Sequence, residues 1–90
     1  MFYLYIIKSI NKDYNYTGVT NNLNTRFSDH NNGYNKSTKS YKPFILFYKE
    51  EYKTLSEARK REWFLKCTPE GGKLKRKILT TAGVAVSKDA

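Results

Sequence analysis

The stretch from Met1 to Gly18 sets the terms for the rest of the chain. Phe2-Tyr3-Leu4-Tyr5-Ile6-Ile7-Lys8 is apolar and rich in β-branched or aromatic residues. Asn11-Lys12-Asp13-Tyr14-Asn15 is turn material, and Tyr16-Thr17-Gly18-Val19-Thr20 is strand-like again, so the stretch predicts a β-hairpin. A side-chain period of two puts Phe2, Leu4 and Ile6 on one face and Tyr3, Tyr5 and Ile7 on the other, while Tyr14 and Tyr16 share a face of the return strand. Tyr5 and Tyr16 are then expected to face each other across adjacent strands. Cross-strand aromatic packing accounts for such a pair on its own, at a few tenths to ~1 kcal/mol, so a functional reading needs support from elsewhere.

That support starts in the next segment. Thr20-Asn21-Asn22 offers caps for a helix through Leu23–His30, ended by Asn31-Asn32-Gly33. Leu23, Arg26, Phe27 and His30 fall on the stripe such a helix turns inward, so a guanidinium and an imidazole share a face that should be apolar. Either residue alone has a plain explanation: Arg26 can snorkel at the edge, and His30 can complete the last turn and favour the helix dipole. Together, one turn apart, they read as a site facing the sheet. Gly33–Lys42 is a polar loop with hydroxyls, amides and Lys36, Lys39 and Lys42 but no carboxylate, a composition that suits phosphate contacts as well as solvation. Pro43–Tyr48 is the most apolar run and predicts a third, central strand buried on both faces, closed by Glu50 and Glu51.

Thr54-Leu55-Ser56-Glu57 is a capping box that starts a second helix running through Lys66. Leu55, Ala58, Glu62 and Leu65 share its inward face, and Glu62 is the anomaly there, because carboxylates avoid such positions unless paired or metal-bound. An ion pair with Arg59 or Lys66, at i−3 and i+4, is the ordinary alternative. Thr68-Pro69-Glu70 can start a further helix, Gly71-Gly72 weakens it, and Lys73–Leu79 predicts only a short one anchored by Leu74 and Ile78. Its Lys73, Lys75, Arg76 and Lys77 form a basic edge suited to phosphate contact. Residues 80–90 lack helical period and are expected to be a flexible tail, leaving 1–79 as the domain.

With 90 residues, any chemistry falls to this one module. The formal net charge of +9 implies an acidic partner, nucleic acid or an anionic membrane, and the interleaved tyrosines and phenylalanines favour nucleic acid. Cys67 and His30 are each the only residue of their type, which excludes a disulfide and a thiolate zinc cage, so a metal site has to be built mainly from carboxylate and water. No segment has the length and apolarity of a leader or a membrane span, which points to a cytoplasmic protein without membrane attachment.

The order Tyr3-Leu4-Tyr5, then Tyr16-Thr17-Gly18, then Leu23-x-x-Arg26-x-x-x-His30-Asn31, then Glu57-Ala58-x-x-x-Glu62 resembles the GIY-YIG nuclease family. The likeness is greatest to small stand-alone bacterial members similar to the nuclease domain of the excision-repair protein UvrC. The resemblance implies an α+β fold, a three-stranded antiparallel sheet flanked by helices, and an endonuclease hydrolysing DNA phosphodiester bonds with Mg²⁺ or Mn²⁺, in repair or recombination. Carried over, Tyr5 and Tyr16 match the motif tyrosines, Gly18 the glycine, Arg26 the helix arginine, Glu62 the metal-binding glutamate and His30 a histidine recurrent in the subgroup.

The chemistry agrees with this implied set. Negative charge on a phosphodiester repels a nucleophile; Arg26 offers a bidentate fork, and an ion on Glu62 a Lewis acid. A tyrosine base, Tyr5 or Tyr16, needs help, since about one tyrosine in a thousand is ionised at pH 7. Arg26 and the metal are expected to depress its pKa and make activity rise from neutrality toward pH ~9. Gly18 is expected to let backbone approach a helix or the substrate closely. The sequence departs from the family pattern at Tyr3, which replaces the name-giving glycine, at Thr17, which replaces an aliphatic residue, and at Val19, where several members carry a lysine; this removes one positive group and leaves open whether Lys8, Lys36 or His30 substitutes for it. The rival reading is a nucleic-acid-binding module of the same fold with little or no hydrolysis.

Overall fold

The computed structural model describes the backbone of residues 1–89 and the side chains of residues 1–80. Strands β1 (Phe2–Ser9) and β2 (Asn15–Thr20) form the expected hairpin, followed by α1 (Leu23–Asn31), β3 (Phe44–Tyr52), α2 (Leu55–Cys67) and α3 (Pro69–Asp89). The sheet is three-stranded and antiparallel with the order β2-β1-β3. The fold is thus α+β, as the resemblance implies.

The central strand is β1, not β3. Only β1 has hydrogen-bonded partners on both sides, and its Leu4, Tyr5, Ile6 and Ile7 are all buried, whereas Ile45 and Leu46 of β3 are 45% and 37% exposed at the edge. Strand β3 also runs on to Tyr52, taking in Glu50 and Glu51, because each finds a place opposite β1, at Leu4 and Tyr3. Both faces of β1 are covered. On one, Tyr5 and Ile7 pack with Phe44, Tyr14, Tyr16, Leu23 and Phe27; on the other, Ile6 packs with Ile78, Leu74 and Phe47.

Caps form where the sequence places them. The Asn22 side chain accepts from the Thr25 N–H at the start of α1, and Thr54 and Glu57 make a reciprocal capping box on α2. Ala58 and Leu65 bury the inner face of α2, while Leu55, expected beside them, stays exposed. Helix α3 is longer than the predicted Lys73–Leu79, because Gly71 does not weaken it. A Cβ there would stand 1.7 Å from the Phe64 carbonyl oxygen, so the glycine is what lets α3 start against the end of α2. The expected flexible tail falls largely on residues whose side chains lie outside those described. Among the described residues, no helix is long and apolar enough to cross a membrane.

A second polar cluster holds β3 to α2. Glu50 accepts two bonds from Arg61, at 2.9 and 3.0 Å, and one each from the Tyr48 and Tyr52 hydroxyls. Burial acts to raise the Glu50 pKa, but the bonds from Arg61 and the two phenols outweigh it and hold the carboxyl below its ordinary value. Tyr52 is correspondingly pushed up to about 12, by burial first and by Glu50 next. Glu50→Gln is expected to cost about 2 kcal/mol at pH 7 in urea unfolding, the scale of hydrogen bonds to a charged group. Because the folded pKa lies below the unfolded one, this stability is present above pH ~4.3 and is lost as pH falls through the folded value. The variant therefore loses less stability on acidification than the parent.

Candidate active site

Four elements converge on one open cleft of about 240 Å³, lined by Tyr5, Tyr16, Gly18, Val19, Arg26, Asn35, Arg59 and Glu62. Five of the residues singled out in the sequence therefore meet in one place. Tyr5 is not directly opposite Tyr16: the register pairs Tyr5 with Gly18 and Ile7 with Tyr16, leaving the two rings diagonal with centroids 6.3 Å apart. This register explains Gly18, whose nearest protein neighbour is the Tyr5 side chain and not a helix. A Cβ there would come within 2.6 Å of the Tyr5 hydroxyl, so the glycine is the slot in which the Tyr5 ring lies.

His30 is outside the cleft lining. It is fully buried behind Tyr5, with the Tyr5 hydroxyl 2.9 Å from Nε2 and the Thr38 hydroxyl 2.8 Å from Nδ1. Thr38 directs its own hydrogen to the Asn35 carbonyl at 3.5 Å. That chain of partners assigns the imidazole proton to Nδ1 and makes Tyr5 the donor to Nε2. Thr38, buried in the polar loop, was not singled out by the sequence; a hydroxyl among Ser37, Thr38 and Ser40 carries no signal that marks it.

From the sequence, Arg26 together with a metal ion is expected to depress the pKa of Tyr5 or Tyr16; at Tyr5 the protein's own groups act, on balance, in the opposite sense. Burial pushes the Tyr5 hydroxyl well above its ordinary value, Tyr16 adds to the rise, and Arg26 only partly opposes it. Burial likewise holds His30 below the ordinary histidine value, with Arg26 adding to that effect and Asp29 opposing it. At neutral pH the pair is a protonated phenol donating to a neutral imidazole.

Glu62 sits at the cleft in an ion pair with Lys66, 3.0 Å from Oε2, so of the two cations one turn away the structure chooses Lys66. Lys66 also lies 5.5 Å from the centre of the Tyr16 ring. The lining is otherwise neutral or cationic, and its donor atoms are oxygens from Glu62, the two phenols and Asn35. Among the described residues, no group of three or more His, Cys, Asp or Glu is placed to hold a metal ion.

The proposed phosphate contacts divide. Lys36, Lys39 and Lys42 are exposed on the loop that carries Asn35, and Lys73 and Arg76 are exposed on α3. Lys75 is half-buried, and its pKa is lowered by burial first and by the neighbouring Lys66 next. Lys77 is exposed on the same helix. Lys8 is on the wrong side: its ammonium lies 5.0 Å from the Phe47 ring, on the sheet face that packs Ile6 and Ile78, so it cannot stand in for a cation at Val19. His30, neutral and buried, cannot either.

A family model described as the GIY-YIG catalytic domain matches residues 1–74. A UPF0213 protein of Staphylococcus haemolyticus is 39% identical over 74 residues, covering 81% of this chain and 89% of its own length. One of Staphylococcus epidermidis is 43% identical over 74 residues with the same coverage. One of Clostridium perfringens is 40% identical over 75 residues, covering 82% of this chain and 80% of its own. No solved structure matches the chain.

Proposed function

The chain belongs to the GIY-YIG family, and from that premise we propose that its cleft grips the phosphate backbone of nucleic acid, DNA foremost, and hydrolyses a phosphodiester there with the help of a divalent cation. The observation that carries this reading is the meeting of Tyr5, Tyr16, Arg26 and Glu62, drawn from β1, β2, α1 and α2, in a single cleft. Nucleic-acid binding alone has no use for an inward-facing glutamate beside two tyrosines.

Arg26 presents a planar fork to the phosphate and opposes the charge that builds on it in the transition state. The oxygen-only donor set suits a hard ion that keeps most of its waters, Mg²⁺ or Mn²⁺, with Glu62 as its protein ligand. Bound there, the ion supplies Lewis-acid polarisation of the phosphate. Tyr5 takes the proton of the attacking water at its hydroxyl oxygen while passing its own to His30 Nε2, so no free phenolate forms in a buried position. Thr38 fixes the imidazole orientation from behind.

A second reading, a binding module with little or no hydrolysis, is favoured by one observation: one oxygen of the single carboxylate is already engaged by Lys66. The two readings part in one experiment. DNA binding is measured by fluorescence anisotropy in EDTA, and nicking of supercoiled plasmid with Mg²⁺ or Mn²⁺, for the wild type, Arg26→Ala and Glu62→Ala. The expected result is metal-dependent nicking that both substitutions lower by about 10²–10³, with Glu62→Ala still binding DNA. Binding without any nicking makes the chain a binding module, and absence of binding removes both readings.

A further inference from the structure

Arg59 lines the cleft from α2, and nothing in the family motifs accounts for it. At the sequence level it is one of two cations a turn away from Glu62, and the structure gives Glu62 to the other, Lys66, at 3.0 Å. Among the described residues, the Arg59 side chain makes no hydrogen bond and no ion pair. Arg26, in the same cleft on α1, likewise has a side chain with neither. The carboxylate in the lining, Glu62, already has an ion-pair partner in Lys66. Two uncompensated guanidiniums therefore reach one open cleft from two helices.

Guanidiniums that reach an open cleft with no carboxylate partner of their own are matched there by an anion. A phosphodiester presents two non-bridging oxygens to planar forks of this kind. We propose that Arg59 is a second backbone-gripping residue of the cleft, engaging together with Arg26 the phosphates of a nucleic-acid strand. The inference rests on the nucleic-acid reading of the cleft and does not depend on hydrolysis. It also supplies the cation missing at Val19, from a different element. Contacts of this kind carry no base information, so the grip is sequence-independent.

The test is the salt dependence of binding, read by anisotropy with a fluorescein-labelled DNA duplex in EDTA, where no cutting occurs. Arg59→Ala is expected to reduce the slope of log affinity against log salt by about 0.9, as Arg26→Ala does, because each removes one phosphate contact. Arg59→Lys keeps the slope and binds more weakly, since the ammonium retains the charge and loses the fork. Lys60→Ala removes an equal charge from an exposed neighbour outside the cleft and leaves the slope unchanged. If Arg59→Ala behaves as Lys60→Ala while Arg26→Ala lowers the slope, the inference is overturned and the nucleic-acid reading survives. If the wild type binds no DNA at any salt concentration, that reading falls and takes the inference with it. Far-UV circular dichroism of each variant separates lost contact from lost fold.

Discussion

Gly71→Ala is expected to destabilise the protein by about 3 kcal/mol, at the upper end of what an overpacked site costs, while Gly72→Ala next to it stabilises by about 0.5–1 kcal/mol. The opposite signs follow from what each new methyl group meets. At Gly71 it would lie 1.7 Å from the Phe64 carbonyl oxygen and 2.8 Å from the Thr68 hydroxyl, both belonging to the junction of α2 and α3. Backbone cannot yield as a flexible side chain can, so α3 has to lift, and with it Leu74 and Ile78, which cover Ile6. At Gly72 a methyl group meets nothing within 4 Å, and the helix gains the lower backbone entropy of alanine in the unfolded chain. Urea unfolding of both variants checks the pair; equal effects of the same sign would show that α3 docks differently.

Tyr5→Phe and His30→Gln are each expected to lower kcat for DNA cleavage by about 10²–10⁴, the range for loss of a positioned acid–base group, with little change in DNA affinity. The pH profile carries the sharper information. The chain from water through Tyr5 needs a neutral His30 as acceptor, and burial holds its pKa below the ordinary 6.5. On that relay, activity is expected to be flat above neutrality and to fall only as the pH drops through the folded His30 value, below the ordinary 6.5, where the imidazole takes up a proton from solvent. The rise toward pH ~9 expected from the sequence does not arise from Tyr5, whose burial moves its titration far above that range. Cleavage rising steadily between pH 7 and 9 would sink the relay and make Tyr16 the base. His30 contributes to folding in the same sense: with its folded pKa depressed, its stability is full above pH ~6.5 and is lost as pH falls through the folded value. Rates at low pH are accordingly referred to the folded fraction measured by circular dichroism.

What could be read from the sequence was local. The hairpin, the Asn22 cap and the Thr54–Glu57 box depend on neighbours within a few residues, and each forms as expected. Arg26 and Glu62 were legible because polar groups broke an apolar helical stripe, and both line the cleft. Sheet order was not legible. The run Phe44–Tyr48 is as apolar as a central strand, but whether a strand has one hydrogen-bonded neighbour or two depends on partners far along the chain, and β1 took the middle. Glu50 looked like a strand terminator because its stabilising partners, Arg61 and two tyrosines, come together only in the fold. Gly71 looked like a helix breaker because the contact that requires it is with the preceding helix. Lys8 was placed by charge alone, and strand alternation sent it to the other face.

The β2-β1-β3 order also has a consequence for birth on the ribosome. The hairpin can close as soon as Thr20 has emerged, but the other edge of β1, with Leu4, Ile6 and Ile7, stays unpaired until Phe44–Tyr52 follows. At ~5–20 residues per second that delay lasts on the order of a few seconds, long against the microseconds in which hairpins form. During this interval the nascent chain displays an open, apolar strand edge, which is where a chaperone would bind and where two nascent chains would stick to each other.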